Sequence, residues 1–157
     1  MPAARATERV QSALDAAGIE ARVVELAAST RTAAEAASAI GCGVAQIAKS
    51  LVFRGAESGE AILVIASGTN RVNEKTIATL AGEPIAKADA DFVRERTGYA
   101  IGGVPPVGHT SPLRTFIDRD LLQFDRIWAA AGTPHAVFEL TPSQLTNLVT
   151  GAIVEIQ

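Results

Sequence analysis

One cysteine, Cys42, and two histidines, His109 and His135, are all that 157 residues offer of the side chains that most often bind transition metals. A lone cysteine excludes an internal disulfide, so the fold must hold by packing and needs no oxidising compartment. Aromatic residues make up only 4% of the chain. No apolar run approaches the length that spans a bilayer. The opening MPAARATERVQSALDAAG alternates charge and alanine where a secretory leader has an apolar core. A soluble, cytoplasmic protein with no membrane partner is expected. Positive charge is also short: 14 Lys and Arg stand against 17 Asp and Glu, a net charge of -3. That balance argues against coating long stretches of nucleic acid and gives no reason to expect DNA as a partner. A small basic pocket remains compatible with it.

Familiar catalytic signatures are missing as well. The chain has no GxSxG elbow, no HExxH and no GxxxxGK[ST], so the serine-hydrolase, zincin and P-loop readings lose their support. The stretch GCGVAQ at residues 41–46 lacks the third small residue of a dinucleotide fingerprint and comes after a helix-like segment instead of a strand. Without closely spaced ligand sets, no metal site and no cofactor are expected. Cys42 sits between two glycines beside Val44 and reads as a small packed turn residue.

What is present is apolar and finely alternating. With 48% hydrophobic residues, the chain is long enough for one domain, residues 1–157, with a substantial core. Residues 7–17 read as a helix closed by Gly18, and residues 21–25 as a short strand. Thr32 with Glu35 three residues later makes a capping-box pattern, and Gly41 stops the helix that Thr32 starts. Residues 50–54 and 61–66 read as strands joined by a hairpin through GAESG. A helix is predicted over 73–81, ended by Gly82, and another short one capped by Asp89 or Asp91. Strands are expected at 114–117, 127–130 and 135–140. Thr141 then caps a helix that begins at Pro142 and runs through Val149, and residues 152–156 form a last strand. Short strands linked by hairpins and helices imply an α/β (α+β) fold, a curved mixed sheet with packed helices.

Two features outside this scaffold draw attention. Lys49, in QIAKSLVF, stands where an apolar strand begins. It can present a cation from a rigid element into a cleft, or simply snorkel from a strand end. The nine residues IGGVPPVGH, 101–109, hold three glycines and two prolines. The Gly102 and Gly103 pair admits backbone angles closed to other residues, while Pro105 and Pro106 stiffen the second half of the loop. Such a loop can aim N–H groups at a carbonyl and stabilise an oxyanion, or be an ordinary tight connection.

Three separated stretches, IAKSLVF with Lys49, the GGVPPVG loop with its GxxxP pattern from Gly102 to Pro106, and AGTPHAVFELTP, together resemble the YbaK/ProX aminoacyl-tRNA deacylases. These are relatives of the editing domain inserted in bacterial prolyl-tRNA synthetases. The resemblance spans residues 23–156 and preserves the motifs' order and spacing. It implies a free-standing hydrolase that cleaves the ester between a wrong amino acid and the 3' end of tRNA. The amino acid would be a small one such as Ala, Ser or Thr, and tRNA-Pro a candidate carrier.

By the same resemblance, Lys49 is the family's essential lysine near the terminal adenosine. Gly102 and Gly103 belong to the backbone that holds the scissile carbonyl, and Val104 and Pro106 to the substrate-binding loop. His135 matches a histidine that borders the amino-acid pocket in the alanine-editing branch, with Gly132 as its neighbour. Pro105 and Val107 depart from many relatives, which commonly carry Phe at the latter position. An activated ester needs a placed water and oxyanion stabilisation more than a protein nucleophile, and the substrate's ribose hydroxyl is thought to assist in this family. The aminoacyl-tRNA acceptor end is then the partner, with an aminoacyl-tRNA synthetase as a further one. A non-catalytic module that uses the same pocket to recognise a synthetase, a peptide or an amino-acid derivative is the competing reading.

The remaining polar residues divide less sharply. His135 also reads as a strand-start residue with a satisfied hydrogen bond, and His109 comes directly after the loop with no role that the chemistry requires. Asp118 and Asp120 read as turn or capping residues instead of paired acids. Arg71 and Lys75 either meet the acceptor end or form a solvated helix start.

Overall fold

The structure, a computed structural model, describes residues 3–157. Helix α1 is Ala3–Ala16, a turn longer at its start than the pattern indicates, and it buries Ala6, Val10 and Leu14 at the spacing of one helical face. The next element, strand β1, is only Val24–Glu25. Helix α2, Ala33–Ile40, starts on the Thr32 hydroxyl, which accepts from Glu35 N–H, and ends on Gly41 at φ +87°. Strands β2 (Ile47–Gly55) and β3 (Ala61–Ser67) form the predicted antiparallel hairpin. Because β2 begins at Ile47, Lys49 is its third residue and not its threshold.

Helix α3, Glu74–Ala81, is capped by Asn73 and stopped by Gly82 in the left-handed region. A three-residue strand, β4 (Ile85–Lys87), has no counterpart in the sequence pattern. Asp89, and not Asp91, caps helix α4, Ala90–Thr97, by accepting from Phe92 N–H at 2.8 Å. Strands β5 (Arg114–Asp118), β6 (Ile127–Ala130) and β7 (Ala136–Leu140) come next, with α5 (Pro142–Leu148) and β8 (Ala152–Val154) closing the chain. Thr141 and Gln144 form a complete capping box at α5. Strand β7 starts one residue after His135, which stays in the preceding turn.

The sheet runs β1-β7-β6-β2-β3-β5-β8, and β4 also pairs with β2. It is mixed: β2 is parallel to β6 and antiparallel to β3 and β4. Alternation along β2 sends Ala48 and Val52 to one core, with α1, α4 and α5, and Leu51 and Phe53 to another, with α3. Helix α2 packs Ala36 and Ala37 against Ile47 and Trp128 at a third, smaller cluster.

One irregularity places the site. Along the edge of β2 opposite β3, β6 pairs only with Ile47 and Ala48, and β4 only with Phe53, Arg54 and Gly55. Between them, residues 49–52 have no strand partner on that side among the described residues, and the sheet forks. Among the described residues no helix is long and apolar enough to cross a membrane.

Candidate active site

The fork opens into two connected lobes, about 570 Å³ and about 420 Å³ in volume. Both are walled by Lys49, Ser50, Leu51, Ile101, Gly102 and Val104, so the open edge of β2 and the glycine-proline loop meet at their junction. Beyond the junction the first lobe is faced by α2, Trp128 and Val137. The second is faced by Arg71, Val72, Glu74 and Lys87.

Lys49 is half-buried, and its Nζ donates to the Gly68 carbonyl at 3.4 Å. Burial pushes its pKa below the ordinary lysine value, against an opposing pull from the Asp118 carboxylate. Asp118 ends β5 and is only 1% exposed. It accepts from Ser67 N–H at 2.9 Å, Asn70 Nδ2 at 2.9 Å and Asp120 N–H at 3.0 Å. Asn70 Nδ2 also donates to Asp120 at 2.7 Å, so one amide bridges the two carboxylates. The capping role read from the sequence is present, since Asp118 caps the 3-10 turn Arg119–Gln123. Its electrostatic pull on Lys49 is additional.

The loop is held from behind and open in front. Gly102 has φ +93°, and among the described residues its N–H has no protein acceptor. Gly103 is engaged on both sides: its N–H donates to Ala100 O at 3.1 Å, and its carbonyl accepts from Gly132 N–H at 2.9 Å. A Cβ on Gly103 would lie 2.8–2.9 Å from the Thr133 backbone, so the loop and the turn before β7 touch main chain to main chain. Val104, Pro105, Pro106 and Val107 are buried. At the loop's end, Gly108 O accepts from Tyr99 Oη at 2.9 Å and from Arg9 Nη2 at 3.1 Å. His109 Nε2 lies 2.7 Å from the Pro105 carbonyl; a carbonyl only accepts, so Nε2 carries the proton.

Of the residues singled out by sequence, Lys49, Gly102 and Val104 are brought together at the junction. Gly103, Pro106 and Gly132 wall neither lobe. His135 is exposed and also walls neither lobe. Its Nδ1 donates to Ala28 O at 3.2 Å and its carbonyl accepts from Leu26 N–H, tying residues 26–28 to the turn before β7. Arg71 faces the second lobe, and Lys75 faces neither.

The structure adds residues that the sequence did not single out. Arg31 packs so close to Gly102 that a Cβ there would meet its Cγ at 2.7 Å. Thr30 Oγ1 and Ser50 Oγ, from residues facing the first lobe, are buried with no hydrogen-bond partner among the described residues. Trp128 and Lys87 complete the walls. No local pattern marks these positions, because contacts between segments distant in sequence bring them to the fork: strand pairing for Ser50, Lys87 and Trp128, and the approach of the segment before α2 for Thr30 and Arg31. Cys42 walls neither lobe, and burial pushes its thiol pKa up, away from an activated thiolate. The arrangement combines a cation, an unengaged backbone donor and apolar walls, a set suited to a carbonyl that becomes an oxyanion.

Residues 27–148 match the family described as the aminoacyl-tRNA editing domain. A crystal structure described as that of a candidate trans-editing enzyme for prolyl-tRNA synthetase is 49% identical. It superposes with a TM-score of 0.91 over 97% of this chain and 96% of that one. The uncharacterized protein YwhH of Bacillus subtilis is 35% identical over 80% of this chain and 79% of its own. EbsC of Enterococcus faecalis, named as a candidate Cys-tRNA(Pro)/Cys-tRNA(Cys) deacylase, is 27% identical over 80% of this chain and 76% of its own.

Proposed function

We propose that this chain, which belongs to the aminoacyl-tRNA editing domain family, hydrolyses the ester of mischarged aminoacyl-tRNA in trans. The amino acid is a small one such as Ala, Ser or Thr, and the carrier tRNA-Pro. The observation that carries this reading is the junction itself. Lys49 and the unengaged Gly102 N–H share one wall at the stretch of β2 that lacks a partner strand.

In this mechanism the ester carbonyl points at the Gly102 amide, which stabilises the oxyanion formed when water attacks. Lys49 is a positioning cation for the terminal ribose or its phosphate; burial lowers its pKa, and the Asp118 carboxylate opposes that shift and so helps to keep the ammonium. No side-chain nucleophile is required, since the ester is already activated and water is the attacking group. The small side chains of Ala33, Ala36 and Ala129 leave the first lobe free for the aminoacyl group. A synthetase is a further partner in this reading, as the source of the mischarged tRNA.

The decisive assay is deacylation of a panel of alanyl-, seryl-, threonyl- and cysteinyl-tRNA by the purified protein. Turnover of at least one small aminoacyl ester, abolished in Lys49→Ala, is the expected outcome. Absence of turnover across the panel, with binding of a synthetase or free amino acid in its place, would establish the non-catalytic alternative.

A further inference from the structure

We infer that the second lobe is a site for the ribonucleotide backbone, and that the substrate therefore lies across the fork in one direction. Its amino acid enters the first lobe, and the RNA leading into the ester passes through the second. This rests on the deacylase reading above and adds the orientation of the substrate.

The two lobes differ in chemistry beyond the six residues they share. The first adds a single cation, Arg31, whose stem packs against Gly102, and no carboxylate among the described residues; much of the rest of its wall is alanine and valine. The second gathers Arg71 and Lys87 beside Lys49, with Glu74 as its acid. Among the described residues, neither the Arg71 nor the Lys87 side chain makes an ion pair or a hydrogen bond; the ion pairs present are Arg119 with Glu155 and Arg126 with Glu139. Three cations on one wall of a protein of net charge -3 mark an anion site.

Their backbones are fixed although their charged ends are free. Arg71 comes directly after Asn70, whose amide is clamped between Asp118 and Asp120. Lys87 stands opposite Phe53 in the ladder that joins β4 to β2. Cations carried on anchored backbone give up less freedom on meeting a ligand than cations on a mobile loop. A phosphodiester keeps its charge at any physiological pH, and RNA carries one per nucleotide. Glu74 supplies an acceptor for a ribose hydroxyl or a base amine, chemistry that RNA offers and inorganic phosphate does not.

The test compares wild type with the Arg71→Ala/Lys87→Ala double variant, both checked for folding by circular dichroism and melting temperature. Binding of uncharged tRNA is measured by fluorescence anisotropy from 50 to 300 mM salt, about the range over which phosphate neutralisation is read out. The double variant should bind about tenfold more weakly. Its dependence of log Kd on log salt should be shallower, by roughly 0.7 for each single-strand phosphate that the variant no longer neutralises. In parallel, the KM of alanyl-tRNA should rise about tenfold more than that of alanyl-adenosine, which has no phosphodiester. Equal salt slopes, or an equal loss on both esters, would overturn the inference. If wild type hydrolyses neither ester while the double variant still loses tRNA binding and salt slope, the RNA site stands and the deacylase reading fails.

Discussion

Tyr99 Oη donates to the Gly108 carbonyl at 2.9 Å, and the ring that carries it lies under the Arg9 guanidinium, 5.0 Å from its centroid. Helix α1 and the residues after α4 thereby grip the far end of the glycine-proline loop. Gly108 O also accepts from Arg9, so removing the tyrosine hydroxyl leaves that carbonyl partnered. Tyr99→Phe should cost only about 1 kcal/mol of stability, the ordinary worth of one hydrogen bond. Turnover should fall several-fold with KM little changed, because the loop is loosened and the ligand walls are not. Melting temperature and single-turnover deacylation, on one preparation, check both halves.

His109 gives the grip a pH dependence. Burial lowers its pKa below the ordinary histidine value, and the nearby Arg9 charge acts in the same direction; the hydrogen bond to Pro105 O opposes them. The unfolded chain therefore binds the proton more readily than the native one, and stability rises with pH through that interval. The contribution is fully present above the unfolded pKa of about 6.5 and is lost as pH falls through the native value. His109→Gln keeps a donor for Pro105 O and cannot titrate. The melting temperature of wild type should drop between pH 7.5 and 5, and that of the variant should drop less. Parallel curves would remove His109 from the account.

The two loop glycines should fail in different ways. Gly103→Ala drives a methyl group against the Thr133 backbone and threatens the Gly132 N–H to Gly103 O bond, so it should destabilise by about 2 kcal/mol or more. At Gly102 the nearest obstacle is the flexible Arg31 side chain, but φ +93° disfavours any side chain, at a cost on the order of 1 kcal/mol. If the Gly102 amide is the oxyanion donor, Gly102→Ala should also lose on the order of a hundredfold in turnover per folded molecule. Thermal melts and single-turnover rates separate the two cases.

Local chemistry was readable in the sequence wherever it decides a local structure. Thr32, Thr141 and the stop glycines Gly41 and Gly82 mark helix ends through one hydrogen bond or one positive φ, each within a few residues, whereas Asn73, read as the first helical residue, proves to be the cap of α3. The β2–β3 hairpin is equally local. The fork is not, because it depends on where β4 and β6 each stop pairing with β2, and β4 has only three residues with no periodicity to detect. Resemblance to a family brought forward Lys49, Gly102 and Val104, which meet at the junction. It also brought forward His135, whose side chain is held on Ala28 outside both lobes. Arg31, Trp128 and Lys87 had no one-dimensional mark.

The Lys49 and Asp118 pair carries the last prediction. Lys49→Ala removes a half-buried cation from a cleft wall and little core volume, so the fold should survive while most deacylation disappears. Asp118→Asn should behave in the opposite manner. The new amide cannot accept from all of Ser67 N–H, Asn70 Nδ2 and Asp120 N–H, and it places a donor beside Asn70 in a buried setting. An unsatisfied buried group of this kind costs about 1–3 kcal/mol, so the melting temperature should fall clearly. The same change withdraws the charge that opposes the depression of the Lys49 pKa, which should then fall further. If the ammonium is the active form, the alkaline limb of the deacylation profile should move to lower pH in Asp118→Asn. A limb that stays in place while the melting temperature falls would confine Asp118 to a structural part. A rise in activity with the neutral lysine would reverse the assignment and make Lys49 a base.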